Sequence, residues 1–131
     1  MIGLDTNVLL RFLVKDDEAQ GERSARAIRQ ASTRGEPVFL GPIVLCEMVW
    51  VLTSRYRYAK PEIVRALTEI LDADGFEIAD RDTVRAAVDD YRVHKVDFAD
   101  CLIGRTSQKG GCRETLTFER RLKATENFRV L

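Results

Sequence analysis

The chain has one histidine and three cysteines among its 131 residues, and no two cysteines form a C-x-x-C pair. A zinc site of imidazoles and thiolates has no material here, since His94 has no cysteine cluster beside it. Cys46, Cys101 and Cys112 are odd in number, and the first two lie inside apolar runs, the setting of reduced, packed thiols. No disulfide framework is expected, and a cytoplasmic location is. Three prolines and eight glycines are too few for a collagenous or linker-like chain. Excess charge is also missing: 21 Lys and Arg balance 21 Asp and Glu, so a polyanion would have to be met at a local site rather than by long-range attraction. The one long apolar stretch, Pro37 to Ser54, is broken by Gly41-Pro42 and carries Glu47 near its middle, which argues against a membrane span. Met1 to Leu10 has no basic region and holds Asp5, so no signal peptide is expected there.

What is present is a chain 45% hydrophobic and 32% charged, the balance of a soluble globular protein. Its length predicts a single domain over 1–131, able to bury roughly two-thirds of its unfolded surface. Ile2-Gly3-Leu4 reads as a buried strand ending at Asp5, followed by a short apolar helix from Asn7 to Val14 and a surface helix from Asp16 to Ala31. Pro37 to Leu40 reads as a second strand. Pro42 then fits the first turn of a helix whose Leu45, Met48, Val49 and Leu52 recur at helical spacing. Further helices are expected from Pro61 to about Asp72, from Asp80 to His94, and from Asp97 to the Gly110-Gly111 stop. Phe76 to Ile78, Thr115 to Phe118 and Phe128 to Leu131 complete about five short strands. Strands alternating with helices predict an α/β three-layer sandwich around a central, mostly parallel sheet, with ligands gathering outside the carboxyl ends of the strands.

Several acids stand where packing alone would not choose them. Asp5 ends the first strand, as a helix cap or as a functional acid. Glu47 is the single polar residue from Ile43 to Leu52 and is expected buried, where an ionised carboxylate needs either an arginine partner or a metal. Asp97 and Asp100 lie three apart and share a helix face; one can cap, which leaves Asp100, followed by the packed Cys101-Leu102-Ile103, as the stronger functional acid. Glu119 follows the strand Thr115 to Phe118, either as a ligand or as a first-turn acid of a short basic helix, and Thr117 can cap that helix or bond a ligand. Unit charges 4 Å apart repel by about 4 kcal/mol at an effective dielectric near 20, so carboxylates crowded at one sheet end require protonation or a cation. An oxygen-only donor set selects Mg²⁺ or Mn²⁺, and attack of metal-activated water on a phosphodiester is the chemistry it supports.

The ordered set Ile2-Gly3-Leu4-Asp5-Thr6-Asn7, Glu47, Asp97-Phe98-Ala99-Asp100 and Thr117-Phe118-Glu119 resembles the PIN-domain family over essentially the whole chain, and within it the VapC-type toxins of bacterial toxin–antitoxin pairs. The resemblance implies a Mg²⁺-dependent endoribonuclease, with Mn²⁺ able to substitute, a cognate antitoxin and a homodimer. It implies Asp5 and Asp100 as direct metal ligands, with Glu47 binding a second metal or orienting the attacking water. Asn7 and Thr117 would support the pocket through hydrogen bonds, and Asp97 would be an auxiliary acid. The family more often has Asp where this chain has Glu119, so a fourth catalytic acid at that position is one methylene longer. Arg105, Lys109, Arg113 and Arg120, with Arg121 and Lys123 nearby, are the cations available for RNA phosphates. Trp50 and Phe12 belong either to the core or to a dimer and antitoxin surface.

Two other readings compete. A non-catalytic Mg²⁺-binding signalling domain wants an acidic pair after the first strand, and this chain has one acid there. A PIN-type nuclease acting on structured or single-stranded DNA keeps the chemistry and changes the substrate; the absence of inserted segments favours RNA.

Overall fold

The computed structural model describes residues 1–131 and has the expected α/β class. In chain order the elements are β1 (Ile2–Gly3), α1 (Thr6–Leu13), α2 (Glu18–Thr33), β2 (Val38–Leu40), α3 (Pro42–Ser54), α4 (Lys60–Asp72), β3 (Phe76–Ile78), α5 (Arg81–Val93), α6 (Phe98–Lys109), β4 (Thr115–Thr117), a 3-10 turn (Arg120–Ala124) and β5 (Phe128–Val130). All five strands pair in parallel. They form two ladders, β1-β2-β3 and β4-β5.

The chain divides into two compact units: Met1–Tyr58 with Ile70–Ala79, and Ala59–Glu69 with Asp80–Leu131. In the first, β2 is the middle strand, with Val38 beside Ile2 on one edge and Phe76 on the other. Val38 and Leu40 are buried while Phe39 between them is not, the alternation that a pleated strand imposes. Leu9 and Leu10 of α1 join Leu45, Met48, Val49 and Leu52 of α3 in the core of this unit.

The second unit is organised around α5 and α6, which pack against each other. Val84, Ala87, Val88 and Tyr91 of α5 are buried at the spacing that puts them on one face, as are Phe98, Cys101 and Leu102 of α6. Tyr91 meets Phe98 edge to face at 5.9 Å, joining the end of one helix to the start of the other. His94 is the C-cap of α5. Lys60 Nζ donates to the carbonyls of Tyr91 (2.8 Å) and His94 (2.6 Å), which places a cation on the negative end of that helix. Gly104 is buried in α6, and a Cβ there would fall 2.5 Å from the Phe128 ring and 2.7 Å from Asn127 Nδ2. Only glycine lets α6 lie this close to the start of β5.

Candidate active site

In the second unit three acids share an electrostatic neighbourhood. Asp97 occupies the N-cap position of α6 in extended backbone, yet its side chain makes no capping hydrogen bond, so the helix does not use its carboxylate. Asp100 sits one turn on, in the first turn of α6 and half-buried. Glu119 lies just beyond β4, where the Thr117 hydroxyl oxygen accepts the Glu119 backbone N–H at 3.0 Å and fixes the turn. Burial pushes the Asp100 carboxyl above its ordinary pKa, and the charges of Asp97 and then Glu119 push the same way, against a smaller opposing pull from Arg121.

Glu119 is shifted the other way. Its Oε1 accepts from the Arg121 backbone N–H and from Arg121 Nε, each at 3.0 Å, and its Oε2 accepts from Arg121 Nη2 at 3.1 Å. The Arg121 guanidinium, followed by the backbone N–H, holds the carboxyl down to about 2. Glu119 is thus the cap of the 3-10 turn and half of a bidentate ion pair. The expectation of a first-turn acid is corrected by one position: Glu119 is the N-cap, and the 3-10 turn that it caps starts at Arg120. Its partnership with Arg121 was not expected from the sequence, although the two are only two residues apart and follow Thr117, whose hydroxyl fixes the turn.

In the first unit, Asp5 is the N-cap of α1 and its Oδ1 accepts the Thr6 N–H at 2.7 Å. The cap reading of Asp5 therefore holds, and it leaves the second carboxylate oxygen outside that bond. Thr6 is buried and its hydroxyl has no hydrogen-bond partner. Asn7 is exposed and borders an open cavity of about 550 Å³ together with Arg11, Gln20, Arg23 and Ser24.

Glu47 corrects an expectation: it is exposed, not buried. The reason is that α3 is apolar on two faces. Leu45, Met48, Val49 and Leu52 fill the core, while Ile43 and Trp50 stand 74% and 70% exposed. Glu47 falls on this outer stripe, four residues after Ile43 and three before Trp50. An exposed carboxylate needs no arginine to neutralise it, and the cost that made a buried Glu47 informative is absent.

The cations expected to contact RNA fare unevenly. Arg105 makes a two-pronged bond to Asp90, Nε to Oδ2 at 2.7 Å and Nη2 to Oδ1 at 2.8 Å, and its Nη1 reaches Gln108 at 3.1 Å. Lys109 pairs with Asp80. Arg113 contacts Glu114 at 3.1 Å, and Glu114 also accepts from Arg129. Arg120 is exposed and, with Lys123, Arg129, Phe128 and Val130, lines an open cavity of about 470 Å³.

Neither unit gathers three or more His, Cys, Asp or Glu side chains in a metal-holding group. The donor chemistry nevertheless fits a hard divalent ion. Mg²⁺ keeps most of its waters and is commonly held by one or two carboxylates plus substrate phosphate, so a dedicated cage is not required. The half-buried Asp100, destabilised in its charged form first by burial and then by its acidic neighbours, is a group that a cation would relieve.

The PIN domain family matches residues 2–127. A VapC ribonuclease of Aquifex aeolicus (strain VF5) is 31% identical over 120 residues, covering 92% of this chain and 88% of the relative.

Proposed function

The chain belongs to the PIN-domain family, and from that premise we propose that it is a Mg²⁺-dependent endoribonuclease, the toxin of a type II toxin–antitoxin pair. The observation that carries this reading is the start of α6, where Asp97 makes no capping bond and the half-buried Asp100 one turn on is penalised in its charged form by burial and by the charges of Asp97 and Glu119, an arrangement that stability does not favour and a cation-assisted site needs. When bound, Mg²⁺ (or Mn²⁺ in its place) supplies Lewis-acid activation of a water and charge stabilisation at the leaving oxygen of a phosphodiester.

The protein's own residues supply the rest. Asp5 and Asp100 are the acids we assign to direct metal ligation, and Glu47 to a second ion or to orienting the water. Asp97 adds negative charge beside Asp100 without being consumed as a cap. Thr117, whose oxygen already accepts the Glu119 N–H, keeps its hydroxyl proton to donate to a carboxylate or phosphate. Asn7 offers an exposed amide at the start of α1. Arg120, exposed at its cavity, is the cation best placed to hold RNA phosphate, since Arg105 and Lys109 already have acidic partners.

RNA rather than DNA follows from the relative, which is a ribonuclease, together with this chain's lack of inserted segments. We assign it a single PIN-like domain and cytoplasmic action; no helix is long and apolar enough to cross a membrane. The same reading gives it a homodimer and a cognate antitoxin, and the exposed Trp50 and Ile43 offer apolar surface for either.

The test is cleavage of single-stranded RNA by the purified chain with Mg²⁺ or Mn²⁺, with DNA of the same sequence alongside. RNA cleavage that chelator stops and that Asp100→Asn abolishes in a folded protein supports the reading. Cleavage that survives either treatment removes it, and preferential cutting of DNA moves the assignment to the rival substrate.

A further inference from the structure

The pair formed by Glu119 and Arg121 does more than close a turn. Three hydrogen bonds, all within two residues, engage both oxygens of the Glu119 carboxylate. The Thr117 hydroxyl locks the backbone that makes this possible, so the arrangement needs no tertiary support. Reach is what allows it. Asp at this position could accept the backbone N–H as a cap, but it is one methylene short of also embracing the guanidinium two residues along. The same guanidinium stands in the field of Asp97 and Asp100, the two acids of α6.

We propose that Arg121 is a built-in monovalent counter-cation of these acids: by chelating Glu119 it withholds that carboxylate from the metal, and by adding its charge to the neighbourhood of Asp97 and Asp100 it lowers the affinity of the site for a divalent ion. This rests on the metal-dependent reading above and assigns Glu119 and Arg121 a part in it. Glu119 is a positioning residue that anchors a positive charge. Arg121 sets how much metal the site demands, because any divalent ion entering beside Asp100 meets an existing unit of positive charge.

The consequence runs against the ordinary expectation for a basic residue in a nuclease. Removing Arg121 should tighten metal binding. It is 54% exposed, so the fold does not depend on it. The measurement is Mn²⁺ binding to the full chain by calorimetry, without RNA and at fixed ionic strength. Arg121→Gln should bind about three- to tenfold tighter than the parent. Arg121→Lys, which keeps the charge and loses the fork, should stay within about twofold of the parent. Glu119→Gln, which frees the guanidinium to compete for Asp97 and Asp100, should bind several-fold more weakly. The double variant Glu119→Gln with Arg121→Gln should return to the parent's affinity or better.

Unchanged or weaker binding by Arg121→Gln overturns the proposal. So does a double variant as weak as Glu119→Gln alone, for then Glu119 is itself a ligand. A parent protein that binds no Mn²⁺ at all removes the metal reading, a different failure from a parent that binds and a variant that does not respond.

Discussion

The two ends of α6 carry opposite kinds of charge in opposite states. At its start, burial raises the cost of ionising Asp100, the charges of Asp97 and Glu119 add to it, and Arg121, already paired with Glu119, offsets only part. Along its second half, Arg105 and Lys109 each hold an acid, Asp90 and Asp80. One end is only partly compensated and the other is neutralised. Stability explains the second end, where each charge has a partner, and fails to explain the first. That contrast is a sounder guide to function than sequence position, because residue type alone offered Arg105 and Lys109 as RNA contacts beside the stronger candidate Asp100.

The largest effect is expected where compensation is incomplete. Asp100→Asn should lower the cleavage rate by at least about 100-fold, the scale of losing one transition-state charge stabiliser. In chelator the same variant should melt at a higher temperature than the parent, because it removes a partly buried charge from among like charges. Mg²⁺ at millimolar concentration should raise the parent's melting temperature and leave the variant's unmoved. A variant that is both inactive and less stable in chelator would mean that Asp100 is a packing residue and that the contrast is an illusion.

At the other end the cost should fall on stability. Asp90 has only 17% of its side chain exposed, and Arg105→Ala would leave it without its two-pronged partner. We expect a loss of about 1–2 kcal/mol after allowing for solvent screening, or about 4–7 °C in Tm. The cleavage rate per folded molecule should change little. A large loss of RNA affinity in a fully stable Arg105→Ala would reinstate Arg105 as a phosphate contact.

Much of this architecture was legible because local chemistry repeats along the chain. Pro42 started α3, the Gly110-Gly111 pair followed α6, and short apolar runs punctuated by acids became parallel strands. The orientation of α3 was not legible. Its apolar residues lie on both faces, so periodicity could not say which side Glu47 occupies, and burial was inferred from composition. Nor could spacing reveal that Arg105 answers Asp90, fifteen residues away on another helix. The bond between Glu119 and Arg121 was within local reach, yet the familiar preference for acids at helix starts accounted for Glu119 without it.

Acid titration sharpens the contrast among these acids. Glu119 has a folded-state pKa near 2, below its unfolded value, so its contribution to stability is present above the ordinary carboxylate range and is lost as pH falls toward about 2. Glu119→Gln should flatten that part of the acid-unfolding curve, followed by circular dichroism between pH 5 and about 2. An unchanged curve would mean that the pair with Arg121 does not persist in solution, which would also weaken the case for Arg121 as a resident cation.

The smallest effect is predicted for Lys109, and it discriminates between burial and pairing as the source of the contrast. Its ion pair with Asp80 is more than half exposed on both sides, against 34% and 17% for Arg105 and Asp90. An exposed pair in water contributes at most about 0.5 kcal/mol and weakens further with salt. Lys109→Ala should therefore shift Tm by about 1–2 °C at low ionic strength and by nothing measurable at 0.5 M salt, whereas the Arg105→Ala deficit should persist there. If the two variants cost the same and respond alike to salt, pairing alone governs this half of α6. If only Arg105 matters, the neutralised end is held by desolvation of Asp90, the same force that leaves Asp100 exposed to its neighbours at the other.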